Sequence, residues 1–306
     1  MEDKEKLQIN NYKLQIVDLY KLFITRIKSV ELKTWIKRLG FYIKIWWMMS
    51  KNAFMMYFNQ KSILAIFLAG KIFRFTFFII FLYFLVSGSK GLAGYNTNQI
   101  IFFFLSFNVI DITSQFLFRE VYRFRTLVVS GDLDLILTKP INPLFRILFG
   151  GADVIDLITI PPVVAATIYM GAKLGPSAVS VFLYILLIIN SLLISTAFHI
   201  LVVSMAIITL EIDHTVMIFR DLSRLGTVPI DVFKQPLRGF ITYVALRGFI
   251  TYVVPIGIML SFPAKAFLGL LDWNSVIASF VFGITSIFMT LRFWNFAIKK
   301  YTSASS

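Results

Sequence analysis

The sequence predicts an all-α polytopic membrane protein with six transmembrane helices. Both chain ends are expected on the cytoplasmic side, with an N-terminal interfacial amphipathic helix ahead of the first span. Three observations lead there. The 306 residues are 58% hydrophobic, include 33 phenylalanines and carry only 15% charged side chains, against roughly 45–50% apolar residues in soluble domains. The apolar residues gather into six runs of about the 20 residues that a helix needs to cross a bilayer core. The basic residues lie between those runs and favour one side.

A water-soluble fold of this size could not hide so much apolar surface, and the mean hydropathy of +0.79 says the same. Membrane lipid is therefore an expected partner. A formal charge of +14 could speak for nucleic acid, but the cations are not gathered on one polar domain and no nucleic-acid-binding module is present. There is no cysteine, which excludes disulfide frameworks, thiol catalysis and thiolate metal sites.

Residues 1–30 read as a charged cytoplasmic N-terminus without a cleavable signal peptide. Residues 31–61 contain "ELKTWIKRLGFYIKIWWMMSKNAFMMYF". Its lysines, tryptophans and phenylalanines suit a helix lying along the cytoplasmic leaflet, or one docked on the rest of the protein. The transmembrane domain is expected over 62–298, with a cytoplasmic tail at 299–306. Its six spans are Ile63–Val86, Gln99–Phe118, Ile147–Met170, Ala178–Leu210, Gly239–Phe262 and Ser275–Phe296. One set of flanking segments (before Ser62, Arg119–Arg146, Leu210–Arg238 and from Arg292) holds 24 Lys/Arg; the opposite set holds only Lys90, Lys173 and Lys265. Cytoplasmic loops carry such an excess.

A tandem copy, "LRGFITYVA" at 237–245 followed by "LRGFITYVV" at 246–254, lengthens the fifth run. The second copy is placed in the membrane, with Arg247 near the cytoplasmic interface and the first copy reaching toward the headgroups. Pro161 and Pro162 are expected to kink the third span.

Catalytic signatures are missing. The sequence contains no GxxxxGK[ST], HExxH or GxSxG, and its two histidines, His199 and His214, do not stand at metal-ligand spacing. An enzyme is not expected, nor a metal or cofactor in this chain. Polar residues within the spans are more informative. Asn108, Asp111 and Gln115 share one face of the second span, and a carboxylate there must face protein or water. With His199 they outline a candidate translocation path, although a stripe such as Ser191, Ser195 and His199 also serves interhelical packing. Arg119 and Arg123 end the second span and Asp153 and Asp156 open the third; as an interhelical charge clamp they would fix the angle between the two.

The stretch "VVSGDLDLILTKPINPLF", 128–145, interrupts this apolar chain on the cytoplasmic side. Gly131 breaks the preceding helix, Asp132 or Asp134 can cap a new one, and Pro140 and Pro143 end it and stiffen the return. Its leucines require a cover, either a partner surface or the chain's own N-terminal helix.

The run "FREVYRFRTLVVSGDLDLILTKPINPLFRILFGGADVIDL", 118–157, resembles the permease subunits of the ABC-2 family of ABC transporters, in the branch with six spans per chain. The family's Gly-x-Leu-Asp…Leu-x-x-Pro-x-x-Pro-Leu segment matches Gly131, Leu133, Asp134, Leu137, Pro140, Pro143 and Leu144. "TVPIDVFKQPLRGFITYV" and "PIGIMLSFPA" also look like that family's approach to the fifth span and the turn after it. The resemblance implies a multi-pass protein of the cell membrane, paired with a second, identical or related permease and with ABC-type ATPase subunits that hold ATP and Mg. It implies an exporter in which Gly131 to Leu144, Asp132 included, couples the ATPase to alternating access. The rival is an ion-coupled secondary transporter or channel, with Asp111 and His199 carrying the ion.

Overall fold

The computed structural model describes residues 36–55, 58–88, 91–209, 220–221, 223–229, 231–232 and 255–301. The chain divides into two compact units, Met1–Met49 and Ser50–Ser306. In the first, the described residues 36–49 are helical, and Ile36, Leu39, Phe41, Ile43, Trp47 and Met48 are exposed. The tandem copy at 237–254 and Arg247 lie outside the described residues, as do residues 1–30 and 302–306.

The helix over 36–55 is called α1; α2 is Lys61–Gly88 and α3 is Thr97–Phe118. A 3-10 turn, Arg119–Arg123, extends α3 into α4 (Phe124–Val129). Next come α5 (Asp132–Leu137), α6 (Pro143–Leu148), α7 (Val154–Leu174) and α8 (Ala178–Thr209). A π-turn, Gly257–Ser261, leads into α9 (Phe262–Phe267), and α10 is Trp273–Lys299. Among the described residues five stretches are long and apolar enough to cross a membrane: Lys61–Gly88, Thr97–Val129, Val154–Leu174, Ala178–Thr209 and Trp273–Lys299.

Local chemistry sets the element ends. Asn96 and Gln99 form a reciprocal capping box at the start of α3, with bonds of 3.0 and 2.9 Å. Asp153 caps α7, its Oδ1 accepting from the Ile155 amide at 2.8 Å and the Asp156 amide at 3.3 Å. Asp272 caps α10 through the Ser275 amide at 3.0 Å. Those hydrogen bonds, first from the Ser275 side chain and then from backbone, hold the Asp272 carboxyl below the usual carboxylate range.

The helix α3 is the central one. Every side chain from Ile100 to Asn108 is buried, and α7, α2 and α8 pack around it. A helix apolar on all sides belongs in the middle of such a bundle or against lipid. The second case is α2, where only Leu82 and Val86 are buried. The longest pairing joins α8 to α10. There Asn190 donates to the Ser279 carbonyl and hydroxyl at 2.9 and 2.8 Å, and a Cβ on Gly283 would overlap its amide.

Two cores mark two ends of the bundle. One surrounds Tyr95, Phe102, Phe103 and Phe267, with the Phe102 and Phe267 rings stacked at 4.2 Å. The other gathers Phe118, Phe124, Leu133, Leu144, Ile207 and Trp294.

The structure corrects several expectations. The third span begins at Val154, not Ile147: Ile147 belongs to α6, and the chain opens at 149–153 before Asp153 restarts it. The fifth span, Gly239–Phe262, lies outside the described residues up to Pro255, beyond which the chain forms the π-turn and α9. Residues 210–238 were expected on one side, yet the Arg220 guanidinium stands 5.9 Å from the Tyr122 ring centroid at the Leu133 end, while Asp231 binds Tyr95 at the other. Asp231 tolerates that depth because Lys265 neutralises it and the Tyr95 hydroxyl donates to it at 2.7 Å.

Candidate functional site

The segment between α4 and α6 is a short helix held in a fixed attitude. Gly131 occupies the left-handed region at φ +77°, so the chain reverses without strain. Gly131 itself is the N-cap of α5. The expected side-chain cap from Asp132 or Asp134 is absent; both sit in the first turn, where a helix favours negative charge. Asp132 instead accepts from the Ser130 hydroxyl at 2.7 Å. Asn142 caps α6 through the Phe145 amide at 3.2 Å, with Pro143 in its first turn.

The apolar side chains of this segment divide into two sets. Leu133, Ile136 and Leu144 are buried in the second core, beside Ile207, Trp294 and Ala297. Leu137 is half-buried against the same core, and Pro143 is half-buried too. Leu135, 60% exposed, and Val129, 67% exposed, point away with Asp132, Lys139 and Pro140. Of the leucines expected to need a cover, Leu135 faces outward, whereas Leu133 and Leu137 turn toward the chain's own core, as the helical period dictates. Near the same core, the Tyr301 hydroxyl stands beside the Asp134 carboxylate, and burial together with that carboxylate pushes the phenol up from its ordinary value.

The four residues of the expected charge clamp do not pair as a set. Arg119 Nε reaches Asp153 Oδ2 at 3.1 Å, joining the end of α3 to the start of α7. Asp156 instead pairs with Lys71 of α2, because α2 lies against α7 and brings a second cation there. Arg123 turns to Glu120 of its own turn at 3.8 Å. Glu120 also meets Arg146 of α6 at 3.6 Å. Sequence reasoning overlooked Lys71, which falls inside an apolar run, and Glu120.

Of the candidate path residues, Asp111 and Gln115 meet, while Asn108 and His199 bond within their own helices. Asn108 spends its amide on the Phe104 carbonyl of its own helix at 2.7 Å. Asp111 is half-buried and accepts from Gln115 at 2.7 Å. His199 is buried on α8, its Nδ1 2.8 Å from the Ser195 carbonyl and its ring 4.7 Å from that of Phe118. Ser195 also meets the Ser114 hydroxyl, so this part of the stripe joins helices. Arg74 of α2 is exposed at mid-length of its helix. Among the described residues no group of three or more His, Cys, Asp or Glu side chains could hold a metal ion.

Five spanning-length apolar helices among the described residues and an outward-facing turn define the class: an α-helical multi-pass membrane protein with a shaped contact at one end of its bundle. The particular family follows from the sequence as a whole. The family model described as ABC-2 family transporter protein matches residues 72–305, and the chain belongs to that family, a membrane component of transport rather than a catalyst. No curated protein and no solved structure matches it.

Proposed function

We propose that this chain is the permease subunit of an ATP-driven exporter in the cell membrane, working with a separate ABC-type ATPase and a second permease. The observation that carries the reading is the α5 turn. Its inner residues, Leu133, Ile136 and Leu144, lock it to the ends of α8 and α10, while Leu135 and Val129 stand outward without cover. A push on the outer face therefore reaches two spanning helices through packed side chains. Alternating access requires a partner that binds one state better than the other, and a stiff contact to pass on that difference. Gly131, Pro140 and Pro143 provide the stiffness; Asp132 and Lys139 give the contact its polar border.

Co-purification with the cognate ATPase tests this. Wild type is expected to retain the ATPase and stimulate its hydrolysis of ATP. Leu135→Asp should abolish both while the protein still elutes as a folded species. ATPase retention by Leu135→Asp, or substrate movement without any ATPase and with proton dependence lost in Asp111→Asn, would refute the reading.

A further inference from the structure

We propose that Glu120 is a positioning residue with two exchangeable partners, Arg146 and Arg123, and that the exchange ties the α5–α6 unit to α3 in one state and frees it in the other. This deepens the permease reading and rests on it, because it names the joint through which a grip on the α5 turn reaches α3 and α7.

The joint starts at the 3-10 turn Arg119–Arg123. Two neighbouring side chains of that turn reach different elements. Arg119 Nε holds Asp153 Oδ2 at 3.1 Å, a hydrogen-bonded ion pair at the start of α7. Glu120 faces two cations instead. Its Oε1 lies 3.6 Å from Arg146 Nη1 on α6, and its Oε2 lies 3.8 Å from Arg123 Nη1 on its own turn. Neither distance is that of a hydrogen bond. Arg146 Nη1 is buried, and among the described residues it has no hydrogen-bond partner. A guanidinium nitrogen left so is costly, and a closer carboxylate would relieve it. Glu120 is thus committed to neither arginine.

The chain beside this pair is free to bend. Between the end of α6 at Leu148 and the start of α7 at Val154 it is not helical, and it contains Gly150 and Gly151, whose backbones are the least restricted. A Cβ on Gly150 would overlap Arg146 Nη1 and the Glu120 side chain, so the pair lies directly across the open stretch. The far end of the stretch is anchored, by Arg119 on Asp153 and by the Ala152 amide, which donates to the Ser50 hydroxyl at 3.2 Å. The near end travels with α6. Leu144, Ile147 and Leu148 of α6 share a core with Leu133 and Ile136 of α5, so a displacement of α5 carries Arg146 along.

Closing Glu120 on Arg146 to the usual charged hydrogen-bond length, about 2.7–2.9 Å, joins α3, α6 and the start of α7 into one body. Turning it to Arg123, which is exposed, releases α6. The structure holds the slack form. An ATPase that binds the α5 turn differently with and without nucleotide selects between the two.

The test uses the full chain bound to its cognate ATPase in detergent. Amide hydrogen exchange at 149–153 is followed by mass spectrometry with and without a non-hydrolysable ATP analogue. In wild type the analogue should slow exchange there about tenfold, the equivalent of one charged hydrogen bond gained. Glu120→Gln and Arg146→Gln should keep the ATPase, since Leu135 and Val129 are untouched, yet lose the slowing. Arg146→Lys, which keeps the cation, should retain part of it. Arg123→Gln leaves Arg146 as the remaining partner, so exchange should be slow even without the analogue. A pair that only stabilises the fold would instead raise exchange equally in both conditions when either partner is removed, and that result would overturn the proposal. Arg123→Gln alters an exposed side chain and still decides the matter if the other two variants fail to fold; its exchange matching wild type would also overturn the proposal. In both of those outcomes ATPase retention leaves the permease reading standing. Wild type that binds no ATPase would remove the two together.

Discussion

Single residues carry much of the fold's vulnerability. The pair of Lys71 and Asp156 is mostly withdrawn from solvent, with side chains 17% and 5% exposed. Removing one partner strands a charge and should cost about 3–5 kcal/mol, whereas replacing both with apolar residues of similar volume should cost far less. Thermal unfolding in detergent of Asp156→Leu, Lys71→Met and the double variant measures this, and non-additivity is the expected result. Gly131 presents a different liability. A Cβ there would meet nothing within 4 Å, so Gly131→Ala pays only for the left-handed backbone, about 1–2 kcal/mol. Asp272 gives a pH signature. Its folded pKa lies below the unfolded one, so its stabilisation is present above about pH 4 and disappears as pH falls through the folded value. Unfolding temperatures of wild type and Asp272→Ala should differ at pH 7 and converge on acidification.

Helices and turns show where the sequence was readable and where it was not. Continuous apolar runs located α2, α3, α7, α8 and α10, because in lipid a span needs only length and greasiness. The start of α7 was hidden, since Ile147 and Leu148 are equally apolar but belong to a short helix whose apolar side faces the second core. The rise of the chain between Arg220 and Asp231 was hidden for the opposite reason: four charged residues and Pro229 break any apolar run. Of the charge pairs, Arg119 with Asp153 could be foreseen from adjoining span ends. Lys71 with Asp156 could not, because nothing in a linear pattern shows that α2 packs on α7. The α5 turn was legible in its motif, whereas its outward residue required the helical register. At this scale the cap on α6 is testable. Asn142→Ala should lower stability by about 1 kcal/mol and loosen α6, seen as faster amide exchange at 143–148.

The whole molecule is read most directly by its two ends. With no native cysteine, single cysteines can be placed without background. Val232→Cys and Ser177→Cys should react from the same side of the membrane, and Leu135→Cys from the other. Reaction of Val232→Cys together with Leu135→Cys would contradict the link of Asp231 to Tyr95 and Lys265.

The separation of 85 residues between Lys71 and Asp156 also has a meaning in time. During synthesis at roughly 5–20 residues per second, the lysine emerges about 4–17 s before its counter-charge exists. An unmatched lysine makes α2 costlier to insert, so α2 is expected to commit fully to the bilayer only once α7 arrives. A nascent chain halted before Asp153 should insert α2 poorly, and Lys71→Leu should restore it, as scored by glycosylation tags placed just beyond Gly88.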